Sequence, residues 1–398
     1  MPALTRIYSP DEMGRYQIAF AVSVILSIFL TLRMEYRLPA LPRSERQTAY
    51  KQGVGVVNAL LLVGLVCLMA GAFIDVASLI GAVFVMACAY GLTMLDNALL
   101  GEGEFSSLLA RRNVLSGLVT ALGQVAGGLI EPHFETLVLA FCGGRIVSIL
   151  ATRNGAFLPI SANLAVSLHW PKLYRAAGGH SGLVSAVGSA VSNLAPSLPI
   201  AFSTVFLGAG AAGQLALAQR AAVAPISFLG VGLAQYVAMA VGTYIRDDRR
   251  GVLSVVTRQL RRTVPLGVVA GLAIAAFGKL GFVWVFGSSW ESAGESLIWL
   301  APALGLQLTV SPMVSIFSAL GAARVFMSVE VLNLVVMASA LTAGALVWEQ
   351  SLTALVVCAS GAMASGQLIV LVALLRVSQR WDATRVLGGG PRVEGASF

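Results

Sequence analysis

The 398-residue chain carries 57% hydrophobic and only 11% charged side chains, with a mean hydropathy of +0.85. A soluble domain holds roughly 25% charged residues, so a water-soluble globular fold is excluded and most of the chain belongs in lipid. A net charge of +8 would suit nucleic acid, but the basic residues are scattered through loops between apolar runs, which excludes a nucleic-acid partner as well.

In chain order, Ser9-Pro10-Asp11-Glu12 comes first, turn chemistry set just before an apolar run. Asp11 and Glu12 suit the first turn of a helix opening near Gly14. Windows of about 20 apolar residues with few charges read as transmembrane helices. Eleven are predicted, over 14–34, 52–74, 77–99, 110–131, 134–153, 181–206, 212–242, 260–285, 292–318, 323–347 and 351–376. The chain is thus expected to be an all-α integral membrane protein. Its 42 glycines, with Ala, Ser and Thr throughout, let helices approach closely where no hydrophobic effect drives them together. No segment alternates with a period of two, which argues against a β-barrel.

The basic residues fall in alternate loops. Arg33, Arg37, Arg43, Arg46 and Lys51 fill one, Arg111 and Arg112 another, then Arg153, Lys172 and Arg175. Arg246 to Arg262 supply a fourth group, Arg324 a fifth, and Arg376, Arg380, Arg385 and Arg392 the tail. The intervening loops hold Asp75, Glu131, Glu135, Glu291 and Glu349. This positive-inside pattern puts the C-terminus in the cytoplasm and, with an odd helix count, the N-terminus outside. The apolar run from Ala19 is long and lacks a small-residue cleavage site before Arg33, so it reads as a span and not a leader.

The organisation expected is an N-terminal lobe over 1–153, a membrane-surface linker over 154–180, a C-terminal lobe over 181–376 and a tail over 377–398. The linker's Trp170, Lys172, Tyr174 and Arg175 suit the interface. Cys67, Cys88, Cys142 and Cys358 lie inside helices at unrelated spacings and read as small buried hydrophobes. The three histidines lack ligand spacing, so no metal or other cofactor is implied.

An internal repeat is visible. "GRYQIAFA" from Gly14 and "GQLALAQR" from Gly213 align, with Ile18 on Leu217 and Ala19 on Ala218. In the second copy a helix over 181–206 precedes the motif, and its counterpart would end near residue 7. The expectation is that this counterpart lies outside the sequence, leaving Gln17 and Ser23 of the first segment facing lipid or a second copy of the chain.

Several phrases resemble the polysaccharide-export flippases of the multidrug/oligosaccharidyl-lipid/polysaccharide exporter superfamily. "LTRIYSPDEMGRYQIAF" is similar to their loop after the first helix, and "LRMEYRLPALPRS" to the end of their second. "GAAGQLALAQRAAVAPISFLG" resembles their eighth helix, with Arg220 and Pro225 matching. "FGSSWESAGESLIWLAP" resembles their ninth-to-tenth helix region, with Gly287, Trp290 and Gly294 matching. The resemblance implies a two-lobed MATE-like fold with the first helix of the N-lobe missing. It also implies alternating access, a lipid-diphosphate-linked glycan as cargo, and polymerase and glycosyltransferase partners beside membrane lipids. "GEGEF" (Gly101 to Phe105) departs from the family's usual basic loop.

Ionisable side chains at bilayer depth are costly and face a cavity or a partner. Arg220 lies roughly 12 Å into its predicted segment, and Arg145 about as far from Arg153. Both suit bidentate binding of an anionic phosphate, the reading favoured for Arg220, and for each the alternative is an ion pair that only joins helices. Arg33, at a helix end, is explained by snorkelling, and only the resemblance adds it to the substrate-binding set. Glu330 and Asp96 are the carboxylates that would bind a coupling proton or sodium. Pro196, Pro199, Pro225, Pro265, Pro302 and Pro312 all fall in the second half, where kinks are expected.

Three functions compete on these features. A flippase moving lipid-linked oligosaccharide across the bacterial inner membrane fits the cations and the resemblance. A multidrug or cation antiporter of the same superfamily calls for a more acidic cavity. A membrane-embedded polysaccharide polymerase needs a large outer loop or a carboxylate-bearing catalytic loop, and the sequence offers neither, so no enzyme is expected. No Gly-Lys-Ser/Thr phosphate loop occurs either. Compartment-specific reporters fused at Met1 and Phe398 should report opposite sides of the membrane; two cytoplasmic ends would refute the odd helix count.

Overall fold

The computed structural model describes residues 2–38, 43–70, 75–100, 106–152, 171, 174–175, 177, 179–246, 250–320, 322–347 and 351–384. Most of the predicted linker, the "GEGEF" loop and the tail beyond Thr384 lie outside the described residues. Among those described, the structure is all-helical with no strand. Contacts group the chain into two compact units, Met1–Ala216 with Val283–Trp290, and Leu217–Phe282 with Glu291–Phe398.

The first unit contains α1 (Pro2–Ile7), α2 (Pro10–Thr31), α3 (Met34–Arg37), α4 (Arg43–Ala70), α5 (Asp75–Leu100), α6 (Ser106–Ile130), α7 (Phe134–Ala151) and α8 (His180–Leu207). The helix α9 (Ala209–Arg246) starts in it and α10 (Val252–Phe286) ends in it. The second unit is completed by α11 (Glu291–Val310), α12 (Ser315–Ala319), α13 (Ala323–Val347) and α14 (Leu352–Thr384). Among the described residues ten helices are long and apolar enough to cross a membrane, and the 38-residue α9 stands at the seventh predicted segment. Large apolar side chains on these helices stay exposed, among them Met69, Leu122, Ile130, Leu272 and Trp284. Such a surface is tolerable where hydrocarbon, not water, covers it. The chain is a multi-pass helical membrane protein.

The helix α2 begins at Pro10, earlier than the expected start near Gly14. Ser9 caps it by accepting from the Glu12 N–H at 3.3 Å, and Pro10 sits where its missing N–H costs nothing. The residues before it form the short α1, whose Thr5 carbonyl accepts from Nε1 of the fully buried Trp290 at 2.8 Å. Contrary to expectation, Gln17 and Ser23 face neither lipid nor a second chain: both are buried. α2 is packed by α5, α7 and α8, and Ser23 settles its hydroxyl on the Phe20 carbonyl at 2.8 Å.

The repeat reappears as a physical contact. A Cβ on Gly14 would lie 1.8 Å from the Ala209 carbonyl oxygen, and one on Gly213 would lie 2.0 Å from that of Pro10. The register that aligns Gly14 with Gly213 also aligns Pro10 with Ala209, so the contact is reciprocal, as between copies related by a twofold. The backbones touch, and only glycine fits.

In the second unit α10 breaks at Gly278, whose backbone (φ −18°, ψ −114°) is not helical, and not at the expected Pro265. Pro312 instead sits in the 3-10 turn Ser311–Met313, where α11 has already ended. The carboxylate of Asp382 on α14 accepts from the N–H groups of Gly251, Val252 and Leu253 at 3.0–3.2 Å, capping α10. Gly213→Ala must force α2 and α9 apart, and overpacking of this kind costs about 1–3 kcal/mol. Thermal unfolding in detergent should show a lowered Tm for Gly213→Ala, while Gly143→Ala, with nothing within 4 Å, should leave it unchanged or raised.

Candidate functional site

Arg145 is the centre of the candidate site. It sits on α7, whose placement is fixed at its first turn by α2: the Glu12 carboxylate accepts from the Phe134 N–H. Tyr8, just before α2, donates its hydroxyl to the Gln124 carbonyl at 2.9 Å and lies the same distance from the Thr136 hydroxyl. Burial pushes the Tyr8 phenol above its usual range, so it is neutral in this network. α2, α6 and α7 are thus locked together at one end. Arg145 lies about 16 Å further along α7.

Aromatic faces hold the cation there. The guanidinium lies 5.3 Å from the ring centre of Tyr90 on α5 and 5.1 Å from that of Phe141, one turn earlier on its own helix. Phe141 is met edge-on by Phe20 of α2 at 5.6 Å, and Tyr16 stacks on Phe20 at 6.3 Å. Cation–π contacts of this kind are worth roughly 0.5–2 kcal/mol, more when desolvated. They stabilise the charge without cancelling it. The ion pairs among the described residues are Arg33–Glu35, Arg112–Asp96 and His133–Glu131, and none includes Arg145. A half-buried guanidinium whose charge is not cancelled is chemically able to bind an anion.

Asp96 is engaged elsewhere. It accepts from the Tyr50 hydroxyl of α4 and stands 3.5 Å from Nη2 of Arg112. Arg112 also donates from Nε to Thr152 at 2.8 Å and from Nη1 to Asn97 at 3.3 Å. Four helices meet in this knot. Arg112 is one of the most completely buried large side chains in the chain, 1% exposed, whereas the loop pattern reads it as a solvated basic residue. The helix α6 begins at Ser106 and draws it inside. A signal was present: an isolated acid late in one apolar segment and a base early in the next, which compensate if the helices are antiparallel neighbours.

Arg33 is more than a snorkelling end residue. Leu32 and Arg33 both adopt left-handed backbone, φ 46° and 58°, which costs an L-residue roughly 1–2 kcal/mol each. The break ends α2 and turns Arg33 inward. Its Nε donates to Ser189 on α8 at 2.8 Å and its Nη1 to Glu35 at 3.1 Å, while Glu35 accepts from Thr31 at 3.0 Å. The remaining two residues belong to the second unit. Arg220 is half-buried on α9, about 16 Å from that helix's start. Glu330 is half-buried on α13 with no hydrogen bond or ion pair among the described residues.

No family model matches the sequence, and neither does any curated protein. Solved structures do match it in fold. A multidrug resistance MATE family transporter of the MOP superfamily, inward-facing, aligns over 98% of this chain and 96% of its own, with TM-score 0.64 and 12% identity. The lipid II flippase MurJ in an inward closed conformation aligns over 96% and 90%, with TM-score 0.64 and 12% identity. A mutant of the Vibrio cholerae MATE transporter VcmN aligns over 95% and 91%, with TM-score 0.58 and 14% identity. The fold is MATE-like.

Removing Arg112 alone leaves Asp96 buried without its counter-charge, so Arg112→Leu should destabilise by about 3–5 kcal/mol. The pair Arg112→Leu with Asp96→Leu should recover a large part of that loss. Chemical unfolding of the single and double variants in detergent measures the coupling; purely additive losses would show that the pair is not a unit.

Proposed function

We propose that the chain is a transporter of the flippase type, moving a lipid-linked, phosphate-bearing oligosaccharide across the bacterial inner membrane for polysaccharide biosynthesis. The observation that carries the reading is Arg145, a cation at membrane depth whose charge is supported by rings and opposed by no carboxylate among the described residues. A diphosphate supplies the missing anion and accepts bidentately from the guanidinium. The likeness of the fold to a lipid II flippase and to MATE transporters supports transport over enzymatic chemistry. The C-terminus is cytoplasmic and the N-terminus outside in this reading, and glycosyltransferases and a polymerase act before and after the flip.

Arg220, taken by itself in the second unit, is a further candidate for phosphate binding, given its depth in α9. Arg33 acts less directly, since Glu35 and Ser189 already engage it. Of the two carboxylates proposed for ion coupling, Glu330 has the stronger case. A coupling ion at Asp96 would have to break a buried ion pair, whereas at Glu330 it displaces no partner among the described residues. That open carboxylate also favours a second reading, a cation or drug antiporter.

Arg145→Ala and Arg220→Ala should each reduce glycan export at least tenfold in a strain lacking the gene, with Lys variants retaining part of it because charge survives and fork geometry does not. Export is measured as surface polysaccharide, normalised to inserted protein. Normal export by both alanine variants would overturn the flippase reading, and loss of cation-dye efflux in Glu330→Gln would favour the antiporter.

A further inference from the structure

The second unit has a groove that the transport reading does not use. A cavity of about 440 Å³ lies between α10 and α11 and is closed by Leu371 of α14. Its α10 wall is one helical stripe: Val264, Gly267, Val268, Gly271, Leu272 and Ala275. The facing wall runs along α11 from Ile298 to Val310. The floor is bare backbone, because a Cβ on Gly267 would lie 2.4 Å from the Gly305 oxygen and one on Gly305 would lie 2.6 Å from that of Gly267. The lining hydroxyl of Thr309 donates to the Gly305 and Thr263 carbonyls, so it has no proton left for an occupant. Leu272 on the lip is 66% exposed, which opens the groove sideways towards hydrocarbon.

One end of this groove is basic. Arg261 stands on the same stripe, three residues before Val264 and so about 4.5 Å from the mouth. Arg258 is one turn further, and both side chains are exposed. No carboxylate pairs with either among the described residues. Asp382, the acid that reaches this end of α10, is occupied by three backbone N–H groups. Side chains on a helix lean towards its N-terminus, so both guanidinium groups reach away from the apolar stretch to the level of lipid headgroups.

We infer that this groove is a site for one anionic membrane phospholipid, its acyl chain lying along the α10 stripe and its phosphate held by Arg258 and Arg261. Hydrocarbon shape at one end and unopposed charge at the other match the two parts of such a lipid. The inference rests on the membrane placement of the helices and not on the cargo, so the two can fail separately.

The test is native mass spectrometry of the full chain in detergent, delipidated and titrated with phosphatidylglycerol and, separately, phosphatidylcholine. One phosphatidylglycerol should bind at least tenfold more tightly than phosphatidylcholine. Arg258→Gln with Arg261→Gln should abolish that preference and leave phosphatidylcholine binding as it was. Ala275→Phe and, independently, Leu306→Trp should weaken both lipids by a similar factor, since they fill the groove. Equal binding of the two lipids by the native chain, or an unchanged preference in the double arginine variant, would overturn the inference. Displacement of phosphatidylglycerol by equimolar polyprenyl phosphate would also overturn it, assigning the groove to a cargo tail.

Discussion

A guanidinium inside hydrocarbon must be compensated, and the first unit compensates two of them in different ways. Arg112 is neutralised outright by Asp96 and then bonded to Thr152 and Asn97, which gives each of its three nitrogens a partner. Arg145 is supported by the faces of Tyr90 and Phe141, which lower its cost without cancelling its charge. The first arrangement ties four helices together. The second leaves the charge of the cation in place. Both depend on helices placed accurately enough for a ring or a carboxylate on one to meet a cation on another.

That accuracy comes from contacts that side-chain packing alone would not give. At Gly14 and Gly213 two helices meet backbone to backbone, and a methyl group on either would collide with a carbonyl oxygen. Where lipid is as apolar as the helices, close approach is what stabilises association, through dispersion and weak Cα–H···O contacts. Caps do the rest. Glu12 closes the start of α7 from α2, and Asp382 closes the start of α10 from α14, each fixing one helix end against another helix.

The helices were legible in the sequence because composition alone reports lipid burial over 20-residue windows. Their ends were less so: α2 starts at Pro10, since a proline that marks a turn is equally at home at a helix start. Arg145 was legible as an intramembrane charge, but the ring that meets it from α5 and the α2 ring that backs Phe141 come from other segments, and no spacing within one segment predicts that meeting. Arg112 was misread because the positive-inside pattern counts charges without knowing which are paired. The inward turn of Arg33 was invisible for a related reason. It requires two consecutive left-handed residues, and neither Leu32 nor Arg33 advertises that conformation.

The distribution of acids explains why the basic residues matter. Glu12, Glu35, Asp96 and Asp382 each have a structural task inside the protein, two as helix caps and two as ion-pair partners. Acids spent in this way are not available to the remaining arginines. With 26 basic against 18 acidic residues, the surplus cannot be balanced from within the chain. It is met by anions from outside: solvent counter-ions at exposed arginines, and lipid phosphates where a cation stands in or beside hydrocarbon. Under the proposed function, the deep, aromatic-ringed cation of Arg145 meets a phosphate that enters and leaves. At Arg258 and Arg261 the cations stand beside an apolar groove, which suits one that stays.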